Sequence, residues 1–319
     1  MDEPFLSFEE QIDKLVNEYN LIIKNRNFAI SALSSMSYYD LVYGYKSIYF
    51  KNNRYVDGTT IEQLVVTHKF NKDIQGTLMK YSTYAENSFK NILANVIAER
   101  FSEEQTKYLD IINYTKNRNI NRRKKLKNLL TNLNVFCKSC QDAPTVQYRM
   151  RGSNIPPWIL FRNISFSNAT DLFQFLGKSE KDYFFSFFNI TQDNFNYQEK
   201  VDIFNSSLML VRKFRNHIAH NLDFMNYREC SLKSSANKIF SNTLLKENEC
   251  SVAHNNVWAM VLAIIILLNS NYLAYNFLAE LNSFLVTGET ITDVYCAVTG
   301  IPLDYERRIK KYLSTLSFN

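Results

Sequence analysis

The residues best suited to chemistry stand together in the segment VRKFRNHIAHN, residues 211–221. A histidine titrates near working pH and serves as either proton acceptor or proton donor. An arginine keeps its charge and presents planar donors to phosphate oxygens. An asparagine amide can hold an imidazole or a phosphate in place. Cleavage of RNA through its own 2′-hydroxyl needs this set: a base for the hydroxyl proton, an acid for the departing 5′-oxygen, and positive donors around the crowded phosphorane. Nothing in it requires a metal. Arg215, Asn216 and His220 are therefore the candidate catalytic residues. Arg212 is a candidate phosphate contact and His217 a neighbour able to assist.

These side chains need a helix to carry them, and the spacing predicts one over about 198–221. Phe204, Leu208, Val211, Phe214, Ile218 and Leu222 fall in one stripe at about 100° per residue and are expected to face a core. Arg212, Asn216 and His220 recur every fourth residue on a second stripe roughly opposite. Arg215 lies at the flank of the apolar stripe, where its stem can pack while its guanidinium reaches outward. Spacing alone also fits an ordinary solvent face or a satisfied hydrogen-bond network. One helix supplies a single His220, so a two-fold pairing would provide the second histidine and second arginine, and the polar stripe is where such a partner would dock.

The rest of the sequence points to an all-α fold. Seven Gly and five Pro in 319 residues leave few of the punctuators that sandwiches or alternating α/β folds need. Ser7 with Glu10, and Thr59 with Glu62, read as helix starts. From Asn71 to about Phe101 an amphipathic pattern runs through Ile74, Leu78, Tyr81, Tyr84, Phe89, Leu93, Val96 and Ile97, with Glu86 and Lys90 four apart in the favourable acid-first order. The Tyr-rich stretch around Gly44 reads as a helix ending or kinking, with room for a strand. Tyr38, Tyr39, Tyr43 and Tyr45 there suit core packing, with base stacking the competing use. The Pro-Pro pair in GSNIPPWIL marks a junction. Val257 to Leu268 is uniformly apolar but far short of the roughly 20 residues that span a bilayer, so it reads as a buried core helix.

Charge is concentrated in KNRNINRRKKLK, residues 116–127, where no acid intervenes. A solvated face and a phosphate-binding strip both fit; the latter would use Arg118, Arg122, Arg123, Lys124, Lys125 and Lys127. Five cysteines without a framework argue for a reducing cytoplasm, and the single Cys137/Cys140 pair lacks the partners of a zinc site. No GxSxG, Walker loop or HExxH occurs, so neither a nucleotide cofactor nor a metal is expected.

The segment RNHIAH resembles the signature of HEPN domains, a helical ribonuclease fold. More of the chain resembles the Abi-like abortive-infection proteins of the AbiD and AbiF type. The opening FLSFEEQIDKLVNEYNLIIKNRNFAISALSSMSYYDLVYGY, then FNKDIQGTLMKYSTYAENSFKNILANVIAE, then IPPWILFRNISFSNATDLFQFL and finally RKFRNHIAHN are similar to that family's blocks, in its order. The resemblance implies a HEPN-type helical bundle with additional N-terminal helices, divided as 1–70 and 71–319. It also implies a homodimer, catalytic roles for Arg215, Asn216 and His220, and an acid at Glu86 that can assist. It implies a part in antiphage defence and, for some members, a cognate structured small non-coding RNA as partner. Many relatives carry a second histidine where Asn221 stands. With that resemblance, the basic run reads as RNA contact. Two functions follow: a dimeric, metal-independent endoribonuclease, or a dimer that holds or processes its small RNA without cutting other RNA. No membrane partner is expected.

Overall fold

Ser7 and Glu10 cap each other's backbone N–H groups, as their spacing predicts, and start helix α1 (Phe8–Asn17). The computed structural model describes residues 5–114, 119–188, 195–286 and 290–316; it is 69% helical, with sixteen α-helices. Helix α2 (Arg26–Met36) is followed by a π-helical turn over Tyr39–Tyr43 and the short α3 (Lys46–Tyr49). Next comes a hairpin of β1 (Phe50–Lys51) and β2 (Arg54–Tyr55), paired antiparallel. Its two-residue loop is Asn52-Asn53, both at positive φ (51° and 62°), which matches the twist of a tight hairpin and suits asparagine.

Helix α4 (Ile61–Arg100) is the spine. Its capping box is formed by Thr60 and Gln63 rather than Thr59 and Glu62, and it runs forty residues, about 60 Å, without a break. The expected start at Asn71 and the expected division at residue 70 both fall inside this helix. Its N-terminal turns bury Ile61 and Leu64, so the helix continues where the sequence suggested two. Of the anticipated stripe, Tyr84 alone is exposed.

The short α5 (Gln105–Tyr108) precedes α6 (Ile120–Ser139) and α7 (Thr145–Met150). The Pro-Pro pair does not merely interrupt: Pro157 occupies the first position of α8 (Pro157–Asn163), where its fixed φ and missing N–H fit a helix start. Helices α9 (Phe166–Gln174) and α10 (Lys178–Phe185) bring Phe166, Phe173 and Phe184 around Phe89 of α4, with ring centroids within 6 Å of it. Helix α11 (Tyr197–Ala219) adds Phe204 to the same cluster, 4.6 Å from Phe188.

After α11 the chain runs through irregular structure and the one-turn α12 (Ser234–Asn237) to α13 (Val257–Leu268). All twelve residues of α13 are buried, as the apolar run predicted, and it lies against both α4 and α11 at the centre of the bundle. Helices α14 (Asn271–Phe284), α15 (Thr290–Thr299) and α16 (Tyr305–Leu313) complete the fold. One apolar core extends from Ile12 to Tyr312, so the N-terminal helices share the packing of the rest. Among the described residues, no helix is long and apolar enough to cross a membrane.

Candidate functional site

Helix α11 begins with a reciprocal cap between Asn196 and Glu199 and ends in a fully formed C-terminal motif. The N–H of Asn221 donates to the carbonyl of Ile218 (3.2 Å) and that of Leu222 to His217 (2.9 Å), with Asn221 in the left-handed region at φ 54°. This pairing satisfies carbonyls that a helix end otherwise leaves open, and asparagine is among the few residues that adopt the required φ. His220 is the cap and Leu222 lies outside the helix, exposed, so the apolar stripe stops one turn earlier than its periodicity implied. Phe204, Leu208, Val211 and Phe214 are buried, and Ile218 is half-buried.

The polar residues divide. Asn216 and His220 are exposed, as the stripe opposite the core requires. Arg212 is not: its guanidinium donates to Ser167 Oγ (2.9 Å) and Thr170 Oγ1 (3.4 Å), fastening α11 to α9. The expected outward reach of Arg215 is likewise replaced by an inward one. Its Nη2 lies 3.8 Å from Glu86 Oε2, and its Nε is buried without a hydrogen-bond partner. Glu86 in turn contacts Lys90 Nζ at 2.5 Å, with their side chains 11% and 8% exposed, and Lys90 donates to the carbonyl of Ile164 (2.7 Å). What sequence spacing suggested as a simple i,i+4 pair is thus a buried junction joining α4, α8 and α11. His217 packs its ring 3.8 Å from that of Tyr227, and its Nδ1 is buried without a partner. No hydrogen bond or ion pair joins the side chains of Arg215, Asn216 and His220 to one another in this chain.

Two residues that sequence reasoning missed hold the end of this helix. Asn221 accepts from Lys72 of α4 and donates to Asp40 of the π-helical turn. Lys72 also donates to Gln75 (3.2 Å), and Asp40 accepts from Ser37 (3.0 Å). Burial pulls the Lys72 ammonium below its usual range, against the favourable field of Asp40. Behind the clamp runs a buried polar chain: Tyr295 donates to Asn71 (3.0 Å), Asn71 to the Tyr45 hydroxyl (3.3 Å), and that hydroxyl lies 3.1 Å from His68 Nδ1. Tyr45 satisfies both contacts by donating to a neutral imidazole. Burial first, and Lys72 second, lower the His68 pKa and favour that neutral form. Tyr45 is thereby a core residue, whereas Tyr39 is exposed and stacks on Tyr43 at 5.4 Å. Asparagine after the last helical residue is a local signal for the helix end. Its partners lie 149 and 181 residues away in sequence, and no periodicity reports them.

The basic run also divides. Arg118 lies outside the described residues. Asn119 caps α6, and the helix then sends Arg122 and Lys125 to one side: Arg122 donates to the Gln174 carbonyl (3.3 Å) and Lys125 pairs with Asp171 (2.8 Å). Arg123, Lys124 and Lys127 point elsewhere, into a cleft of about 950 Å³. Cys137 on the same helix is a buried free thiol, its pKa pushed up to about 11 by that burial.

Comparison with known proteins places these features in a family. Comparison with curated proteins and with solved structures gave no match. A family model described as Abi-like protein matches residues 31–226, from within α2 to just beyond the end of α11. The matched stretch contains the Asp40 and Lys72 clamp, the Glu86 junction, the basic helix and the motif helix, and it covers more than half of the chain. This chain therefore belongs to the Abi-like family of abortive-infection proteins.

Proposed function

We propose that the chain is an antiphage endoribonuclease of HEPN type whose site is completed by a second copy of itself. The observation that carries this reading is the exposed pair Asn216 and His220 at the C-terminal end of a helix whose opposite face is buried in the core. Arg215 sits beside them, aligned by Glu86, and keeps its permanent charge. In the proposed reaction one His220 takes the proton of the attacking 2′-hydroxyl, the partner copy's equivalent histidine protonates the leaving 5′-oxygen, and the arginines bear the phosphorane charge. No group in this scheme is a metal or cofactor.

The test is RNA cleavage in EDTA. Wild type should leave 2′,3′-cyclic phosphate ends, and His220→Ala should reduce the rate about 10²–10⁴-fold, the usual worth of a proton-transfer group. Its melting temperature should be unchanged because the side chain is exposed. Cleavage surviving that substitution removes His220 from the chemistry.

A second reading has its own support. Arg123, Lys124 and Lys127 offer positive charge away from Arg215 and His220 in sequence, which fits a dimer whose main work is to hold a structured small RNA. Under that reading RNA co-purifies with His220→Ala as well as with wild type.

A further inference from the structure

The cleft on α6 combines two properties that folding alone does not call for. Arg123, Lys124 and Lys127 make no ion pair and no side-chain hydrogen bond among the described residues, in contrast to Arg122 and Lys125 on the same helix. The one acid on its lining, Asp110, already accepts from the backbone of Ile112 (3.0 Å). Three cations therefore share one concavity with no countercharge committed to them. The wall is also apolar: Leu109, Ile111 and Leu130 line it, and Ile120 stands 82% exposed at its edge. A bulky aliphatic group held in water beside cations gains nothing from the fold.

We propose that this cleft seats an unpaired nucleotide of RNA. The inference rests on the RNA reading above and narrows it to a single-stranded or looped segment. A volume of about 950 Å³ lies within the range of small-molecule sites, about 300–1,000 Å³, and suits a base with its sugar and phosphate. Double-stranded RNA is recognised across its shallow minor groove by shape and backbone contacts, whereas a concave site with apolar walls takes a base that has left its stack. The base packs against Ile120 and the Arg123 guanidinium plane, and Lys124 and Lys127 take the flanking phosphates. Arg122 and Lys125 serve the fold, holding α6 to the end of α9.

The experiment is fluorescence anisotropy with a labelled ten-nucleotide oligouridine and a duplex RNA of equal length, titrated across salt. Wild type should bind the single strand at least about tenfold more tightly than the duplex. Replacing Arg123, Lys124 and Lys127 together by Gln should weaken single-strand binding at least about tenfold. It should also flatten the slope of log K against log salt by about 1.4, the contribution of the two phosphate-bound lysines on a single strand. Arg122→Gln with Lys125→Gln should leave both unchanged. Ile120→Ser should weaken binding without altering the slope, which separates an apolar contact from charge, and being a surface change it leaves the fold intact. A photoreactive 4-thiouridine in the oligonucleotide should crosslink within residues 109–134. Equal affinity for duplex, an unchanged slope in the triple variant, or polyglutamate binding as tightly as oligouridine would each overturn the nucleotide seat. RNA binding that survives the triple variant removes the cleft alone; failure of wild type to bind either RNA removes the RNA reading itself.

Discussion

Two gatherings of charge lie in this molecule, and their surroundings give them opposite work. Glu86 and Lys90 meet in the interior with the half-buried Arg215 at their edge, and the carbonyl of Ile164 accepts a further hydrogen bond from Lys90. Arg123, Lys124 and Lys127 stand at the rim of a cleft and compensate nothing. Buried ions tolerate no vacancy, because an unpaired charge in the interior costs far more than the pair contributes. Rim ions are solvated and can wait for a partner. Residue type distinguishes the two groups poorly; burial distinguishes them well.

The largest effect should come from breaking the interior group. Glu86→Gln keeps the shape of the side chain but leaves Lys90 buried without its carboxylate. It should cost about 3–5 kcal/mol in urea unfolding, while Lys127→Gln at the rim should move the same measurement by less than about 0.5 kcal/mol. Similar small losses for both would show that Glu86 is not a structural ion.

Next in size is the clamp at the end of α11. Asn221→Ala places an ordinary residue at φ 54° and removes two side-chain hydrogen bonds, for a loss of about 2 kcal/mol. Asn221→Gly frees the backbone and removes only the bonds, so it should cost about half as much. Equal losses for Ala and Gly would assign the whole effect to the amide.

The smallest effect is a change of slope. Lys181 of α10 is 8% exposed and donates to the Gln174 carbonyl (3.2 Å), which also receives Arg122. Burial first and Arg122 second bring its pKa down to about 8. Below pH 8 the ammonium is charged in both states and its burial penalty is present in full. Between pH 8 and the usual lysine range near 10.4, the folded chain has lost the proton that the unfolded chain still holds, so this residue makes stability rise with pH. Measured from pH 7.5 to 9.5, wild type should gain on Lys181→Met. Tyrosines and cysteines that titrate at high pH are common to both and cancel. A constant difference between the two would mean that Lys181 keeps an ordinary pKa.

How much of this was legible follows from range. The cap at Ser7, the apolar α13 and the inward stripe of α11 are written in neighbours within a few residues, and the local pattern reads them. The direction of Arg215 is not local. It depends on Glu86, which α4 presents from 129 residues earlier, and a wheel that knows only its own helix sends the guanidinium outward. Arg212 was misjudged for the same reason, since Ser167 and Thr170 belong to α9. The basic run looked uniform because composition does not record that Asp171 and the Gln174 carbonyl lie on one side of α6 only. The continuity of α4 across residue 70 was missed because His68 and Asn71, polar by type, are buried in a network with Tyr45 and Tyr295.

Helix α4 touches much of what is described above: Lys72 grips the end of the motif helix, Glu86 meets Arg215 near that end, Lys90 holds the end of α8, and the last turns of α4 lead to α5. A continuous helix is stiff along its axis, so these stations move together. At about 1.5 Å per residue the Arg100 end lies about 21 Å from Glu86 and the Ile61 end about 38 Å. A tilt of about 5° pivoting at Glu86 carries the first by about 2 Å and the second by about 3 Å, in opposite directions, over lever arms set by that rise. Lys72, fourteen residues from Glu86, would move by about 2 Å in the same tilt, and Asn221, which it bonds, would have to move with it or lose that bond.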